Sequence, residues 1–263
     1  MPFTLDIFLR FGILLRVKEY IVTVDIAKKR DFFALMVLKD VARILPSNEL
    51  LDGNERIIHH YDIVYLEQAR GIRYDNMAER ISRVTNHRNL SQNHDIILDG
   101  TGVGEAAVDL IRRDGLYPIP IVFTGGDTFH EIYEDIGKVF ANVPGKLQGA
   151  RTLKEIRVPK KDLTVAGNVL LQQQRVHVAK GIKHREELEE QLVGFKGKVN
   201  ENTQRKRYEA ETEDLHDDLV VCYLMGAWWA IHRSDVKGIR ERELAPGHFE
   251  EKITGSYEPA DFF

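Results

Sequence analysis

The alternation of apolar and polar positions divides the chain into short runs separated by charged turns. "EYIVTVD" (Glu19 to Asp25) carries the β-branched enrichment of a buried strand. After the turn "AKKRD", "FFALMVLKDVARIL" predicts a second strand, and "RIIHHYDIVYLEQARG" a third, alternating one. Met77, Ile81 and Val84 in "RYDNMAERISRVTNH" fall at helical spacing. "HDIILDGTGVG" predicts a strand that stops at Asp99 and is followed by a glycine turn. "EAAVDLIRRDG" predicts a helix closed by Gly115, and "YPIPIVFTGG" a further strand with a glycine stop. Three successive strands suit an antiparallel meander, and the strand–helix alternation after them suits parallel crossovers. The expected fold class is therefore α/β, a mixed β-sheet with helices on both faces.

The remaining segments are less regular. Residues 1–18 read as an amphipathic lead-in. From Asp127 to Arg157 the periodicity is weak, which predicts a long excursion. "PKKDLTVAGNVLLQQQ" predicts a helix, "RVHVAK" a short strand and "HREELEEQLVGF" an amphipathic helix. Residues 195–210, within "FKGKVNENTQRKRYEAE", are polar and predict a β-hairpin or a loop. "HDDLVVCYLMGAWWAIH" (His216 to His232) predicts the last long helix, buried on most sides. With no internal repeat or low-complexity linker, a single domain over 1–263 is the economical reading.

Composition narrows the class without naming a function. At 43% hydrophobic and 30% charged, the chain reads as an ordinary globular protein. Its formal net charge of −4 advertises no overall affinity for nucleic acid, so local patches must decide that question. The one cysteine, Cys222, excludes an internal disulfide and a cysteine-based zinc site, and suits a reducing compartment. The apolar stretch Phe3 to Leu15 is interrupted by Asp6 and Arg10 and is too short for a bilayer. The expectation is a soluble intracellular protein with no membrane partner. "GTGVGE" (Gly100 to Glu105) lies where a strand opens into a helix, but it lacks the Lys-Ser/Thr of a P-loop and the dinucleotide glycine spacing. A tight strand-to-helix turn explains it better than a phosphate cradle, and ATP hydrolysis is not expected.

The aspartates are more informative. Asp25 and Asp99 end predicted strands, at the rim where open sheets with helical crossovers bind ligands. Asp217 and Asp218 open the last helix, where free N–H groups and the helix dipole favour negative charge. Taken singly, each strand-end acid is explained as a turn residue and the pair as an N-cap. Taken jointly, three separate elements deliver carboxylates to what can be one place. Carboxylates held close repel, and a divalent cation relieves that repulsion. All-oxygen donors suit Mg²⁺ or Mn²⁺, and a pair of such ions activates water and stabilises a leaving oxygen in phosphodiester cleavage. Adjacent helical residues point about 100° apart, so Asp217 and Asp218 are not equivalent. Two basic clusters offer a surface for a polyanion. Arg151, Lys154, Arg157, Lys160 and Lys161 form the first; Lys196, Lys198, Arg205, Lys206 and Arg207, ending at Tyr208, form the second. Each cluster alone also fits a solvated mixed-charge surface.

"YIVTVDIAKKRDFFAL", "IILDGTGVGEAAVDLI", "VPKKDL" before a helix, and "HDDLVVCYLMGAWW" occur in the order found in the nuclease domain of tailed-phage terminase large subunits. The chain resembles that family over about residues 19 to 232. The resemblance implies an RNase H-like fold and metal-dependent cleavage of double-stranded DNA during viral genome packaging, with Mg²⁺ or Mn²⁺, two ions, as cofactor. It implies that Asp25, Asp99 and Asp218 are catalytic and that Asp25, Asp99, Asp217 and Asp218 hold metal. Lys160, Lys161, Lys196, Lys198, Arg205, Lys206 and Arg207 are the candidate DNA contacts. Double-stranded DNA, the ATPase domain of the same motor, the portal protein and the small terminase subunit are the implied partners, in the host cytoplasm. Family proteins carry Walker motifs in an N-terminal ATPase domain, and this sequence contains none. "AKKRD" is also more basic than the glycine-rich turn usual after the first acid, which leaves Asp31 without a role. The alternatives are another RNase H-like nuclease, such as a junction resolvase or transposase, and a non-catalytic module that docks DNA or portal.

Overall fold

The computed structural model describes residues 6–8, 14–16, 18–26, 32–44, 57–91, 93–101, 105–135, 151–200, 205–210 and 217–236. In chain order the elements are β1 (Asp6–Phe8), β2 (Leu14–Arg16), β3 (Tyr20–Asp25), β4 (Phe32–Ile44), β5 (Ile57–Arg70), α1 (Tyr74–Thr85), β6 (His94–Asp99), α2 (Glu105–Arg113), β7 (Ile119–Thr124), β8 (His130–Asp135), β9 (Arg151–Pro159), α3 (Lys160–Gln172), β10 (Val176–Val178), α4 (Arg185–Gly194), β11 (Phe195–Asn200), β12 (Arg205–Ala210) and α5 (Asp218–Val236). Eight strands form the main sheet in the order β10-β5-β4-β3-β6-β7-β9-β8. β3, β4 and β5 are the expected antiparallel meander, while β3, β6, β7 and β9 run parallel. β10 joins one edge parallel to β5, and β8 closes the other edge antiparallel to β9. β1 with β2, inside the lead-in, and β11 with β12 form separate two-stranded ribbons.

Of the expected excursion 127–157, residues 130–135 and 151–157 form β8 and most of β9 in the main sheet, and residues 136–150 lie outside the described residues. A register shift explains why their alternation is hard to see. Ile132 pairs with Glu155 and Tyr133 with Leu153, so Lys154 is an extra residue in β9. The inward positions Leu153 and Ile156 then stand three apart instead of two. A similar shift between Val37 and Leu38 leaves Val64 of β5 over, and Ile63 and Val64 are both buried although adjacent in sequence.

Helices cover both faces, as the sequence pattern predicts. Met77, Ala78, Ile81 and Val84 of α1 and Val108 and Ile111 of α2 pack on Val22, Val24, Leu35, Val37, Ile96 and Leu98. On the opposite face α3, α4 and α5 pack on Ile21, Ala34, Met36, Leu38, Ile97 and Ile121. The uncharged run inside α5 therefore has a direct cause: the helix is enclosed by the sheet on one side and by α3 and α4 on others. Two glycines permit the close approach. A Cβ at Gly226 would stand 2.7 Å from Leu38 Cδ1 and 3.2 Å from Thr23 Cγ2, and one at Gly167 of α3 would stand 2.5 Å from Leu224 Cδ2. The Tyr223 hydroxyl donates to the Gly167 carbonyl at 2.7 Å, which ties α3 to α5.

The far end of α5 is also anchored. Arg233 ion-pairs with Asp40, whose side chain is 5% exposed, and donates to the Lys18 carbonyl at 3.1 Å. His59 Nδ1 meets the other Asp40 oxygen at 2.7 Å, and Trp229 donates its indole N–H to Asp95 at 3.1 Å. Among the described residues no helix is long and apolar enough to cross a membrane.

Replacing Gly226 by Val tests the close approach. Overpacking a filled core costs about 1–3 kcal/mol, more than the ~1 kcal/mol of helix propensity that leaving glycine returns. Urea unfolding of Gly226→Val is expected to show a lower midpoint at an unchanged slope.

Candidate functional site

Strand registers bring the predicted acids to one end of one face. Tyr20, Val22 and Val24 of β3 and Ile96 and Leu98 of β6 pack toward α1 and α2, while Ile21 and Ile97 pack toward α5. Because side chains alternate along a strand, Asp25 and Asp99 face α5. The strands are parallel neighbours with Val24 opposite Leu98, so the two aspartates end adjacent strands, about 4.8 Å apart in the ladder. On the other side of β3 the register joins Asp25 to Ala34 and Ala34 to Gln68 in a single row.

The last helix delivers the third acid to the same end. Asp218 is the first residue of α5 and is 8% exposed. The Gln68 amide donates to its Oδ2 at 3.4 Å, a long contact that links helix start and strand row. Asp217 is half-buried, and its carbonyl accepts the first helical bond, from Val221 N–H at 2.8 Å. The Leu219 N–H goes to Gln191 Oε1 at 3.0 Å, so a buried amide from α4 caps this terminus. One of the donors that an acidic cap would satisfy is thus already satisfied by α4.

Cys222 lies one turn below Asp218, with its sulfur 3.5 Å from the Ala34 carbonyl and 3.8 Å from that of Thr23. Burial pushes its thiol well above the ordinary range, and the charges of Asp25 and Asp218 push in the same direction. One sulfur thus feels both carboxylates. The β6 acid is held separately. Asp99 Oδ1 accepts the Thr101 N–H at 2.7 Å, and Thr101 Oγ1 accepts the Phe123 N–H at 2.9 Å. Gly100 is glycine for packing, since a Cβ there would stand 3.1 Å from Pro120 Cβ. That agrees with the tight-turn reading of "GTGVGE", although residues 102–104 lie outside the described residues.

The donor chemistry fits a hard divalent ion, because every candidate ligand is a carboxylate oxygen. Among the described residues, no group of three or more His, Cys, Asp or Glu side chains is gathered closely enough to hold a metal ion. The acids share an end and a face without converging into a cage.

The basic candidates divide into two groups. Lys160 and Lys161 open α3 directly after β9, whose Pro159 pairs with Thr124 of β7, so they follow a strand end of the same polarity as Asp25 and Asp99. Lys161 is paired with Asp127 at 2.5 Å, which raises its pKa. Arg157 is taken by Glu155 at 2.8 Å. Lys196, Lys198, Arg205, Lys206 and Arg207 fall on the predicted hairpin, with Lys198 opposite Arg207 and Val199 opposite Lys206. Their side chains, like Asp31, lie outside the described residues.

Sequence reasoning missed two residues at this end. Gln68 reads as an ordinary strand residue until the register places it beside Asp218. Arg70, two positions further along β5, lies with its guanidinium 5.5 Å from the ring centre of its cross-strand partner Phe32. Nothing local marks either one.

No family model matches the chain, and no curated protein matches it significantly. Solved large terminase structures are similar to this chain. The large terminase nuclease from thermophilic phage G20c is 15% identical over 82% of this chain and 87% of its own, with a TM-score of 0.49. The same nuclease with bound zinc is 15% identical, covering 82% and 86%, with a TM-score of 0.44. The HK97 bacteriophage large terminase is 11% identical over 80% of this chain and 39% of its own, with a TM-score of 0.44.

The buried thiol has a measurable pH signature. Its folded pKa stands above its unfolded value, so the folded state holds the proton longer. Its contribution is present below about pH 8.5 and is lost as pH rises above that, with a slope of up to about 1.4 kcal/mol per unit. In chelator, the stability difference between wild type and Cys222→Ala is expected to shift against the wild type from pH 8 to 10. A pH-independent difference would contradict the burial and the acid proximity.

Proposed function

We propose that this chain is a divalent-metal-dependent endonuclease that cuts double-stranded DNA during viral genome packaging. One observation carries the reading: Asp25 and Asp99 end neighbouring parallel strands on the face where the last buried helix begins with Asp218. The order of the four sequence motifs supports it. Asp25, Asp99 and Asp218, with Asp217 beside them, would hold Mg²⁺ or Mn²⁺, in a pair. When bound, such ions supply a water activated at neutral pH and neutralise the leaving oxygen of the phosphodiester.

The chain's own part is positioning. The β-ladder fixes Asp25 and Asp99, and the Thr101 turn orients one oxygen of Asp99. The burial of α5 fixes Asp218, and Gln68 reaches its carboxylate. Asp217 stands at the N-cap, one residue before the helix, and would serve a second ion or support the first. Lys160, Lys161 and the hairpin residues Lys196, Lys198, Arg205, Lys206 and Arg207 would grip DNA phosphates away from the cut. Partners would be the ATPase domain of the packaging motor, the portal protein and the small terminase subunit.

Plasmid DNA incubated with the protein and Mn²⁺ or Mg²⁺, against a chelator control, tests the reading. Asn at Asp25, Asp99 or Asp218 is expected to lower cleavage by more than about 100-fold, since loss of even an outer-shell partner of a metal costs about 10–100-fold. Thermal melts of these variants in chelator should match or exceed the wild type, because removing one of several like charges relieves repulsion. Cleavage at wild-type rate by Asp25→Asn and Asp99→Asn would overturn the mechanism. Preference for branched over linear DNA would favour a resolvase.

Neutralising Arg205, Lys206 and Arg207 together tests the hairpin. Binding should weaken similarly across DNA sequences, and the slope of log affinity against log salt should flatten by about 0.9 for each phosphate no longer neutralised. An unchanged slope would remove the hairpin from the DNA surface.

A further inference from the structure

The edge of the sheet farthest from β8 carries a close pair of imidazoles. His60 of β5 and His177 of β10 lie with ring centres 5.5 Å apart and ring planes within 7° of parallel. His60 Nδ1 and His177 Nε2 are 3.4 Å apart. Those values place the two nitrogens on the facing edges of nearly parallel rings. The β-ladder puts both side chains on one face. Tyr61, Ile63, Val176 and Val178 pack toward α5, so by alternation His60, Asp62 and His177 lie on the opposite face, with Asp62 directly across from His177.

The separation is at the long limit for one explanation and matches a second. A hydrogen bond from nitrogen spans about 2.7–3.2 Å, so 3.4 Å is long for one imidazole donating to another. Two nitrogen ligands at about 2.05 Å from a tetrahedral ion stand about 3.3–3.4 Å apart, which this pair matches. We propose that His60 and His177 form a binding site for a borderline transition-metal ion, Zn²⁺, Ni²⁺ or Cu²⁺, that pins the three-residue edge strand β10 to β5. Imidazole selects these ions, whereas the carboxylate set at the end of β3 and β6 favours Mg²⁺ and Mn²⁺. Two protein nitrogens leave the other positions to solvent, since no third His, Cys, Asp or Glu side chain joins them among the described residues. The site is independent of the nuclease reading.

The test uses tag-free, chelator-stripped full chain, titrated with ZnCl₂ and with NiCl₂ by calorimetry and melted with and without each ion. His177 is exposed on an edge strand, so His177→Ala should fold, with a metal-free melt matching the wild type. Zn²⁺ is expected to raise the melting temperature of the wild type. His177→Ala and His60→Ala are each expected to weaken Zn²⁺ affinity at least about tenfold and to abolish that rise, while Asp25→Asn and Asp218→Asn retain both. Titration of His177→Ala like the wild type would overturn the proposal. Loss of the Zn²⁺ response only in the aspartate variants would overturn it equally.

Discussion

The close seating of α5 on β3 and β4 is the constraint on which the rest depends. A helix with ordinary side chains at every position would ride higher above the sheet. Gly226 removes the side chain where Leu38 and Thr23 press up, and Gly167 removes it where Leu224 and Tyr223 press outward. The helix therefore has sheet below it and α3 beside it, and its sequence is apolar nearly all round. Arg233 and Asp40 hold one end and the Gln191 cap holds the other, which leaves little freedom to slide. The position of Asp218 follows from packing established over the whole length of the helix.

This arrangement divides labour between the two faces. The face under α1 and α2 is filled by apolar side chains, mostly aliphatic with Tyr20 and Phe33 among them, and is closed off by Glu67 of β5 pairing with Arg80 of α1. The face under α5 mixes apolar packing with Asp25, Asp95, Asp99 and Thr23. Asp95 on that face is answered locally by the Trp229 indole, whereas the fully buried Thr23 hydroxyl has no hydrogen-bond partner among the described residues. Toward the strand ends the acids become more open to water. One face of a single sheet therefore carries both apolar core and, at its strand ends, partly exposed carboxylates.

Much of this was legible in the sequence, for identifiable reasons. The meander was readable because β3 and β4 are buried on both faces and so appear as unbroken apolar runs. Asp25 and Asp99 were readable because each interrupts such a run at its end. The edge pair β8 and β9 was not readable, because the extra residue Lys154 shifts the alternation and "HEIYED" exposes too much to carry an apolar signal. Gln68 and Arg70 were invisible because their importance comes from a register across three strands, which no window along the chain contains. The ion pair between Lys161 and Asp127 was hidden for the same reason: two residues of ordinary surface character meet only when β8 turns back along β9.

The chain order of the acids has a consequence for timing. Asp25 and Asp99 come from the first half of the described fold, and Asp218 from its final element. At about 5–20 residues per second of synthesis, roughly 10–40 s separate the emergence of the first acid from that of the last. Until then the face of β3, β4 and β6 lacks the helix seated directly on it, and Ile21, Met36 and Ile97 stay less covered. Early sheet assembly thus exposes a sticky surface, and the contacts that end the exposure are among the longest-range in the molecule, a topology that folds slowly. The same docking event buries the apolar face and brings in the third carboxylate, so a nascent chain gains its complete acid set only as it becomes safe from aggregation.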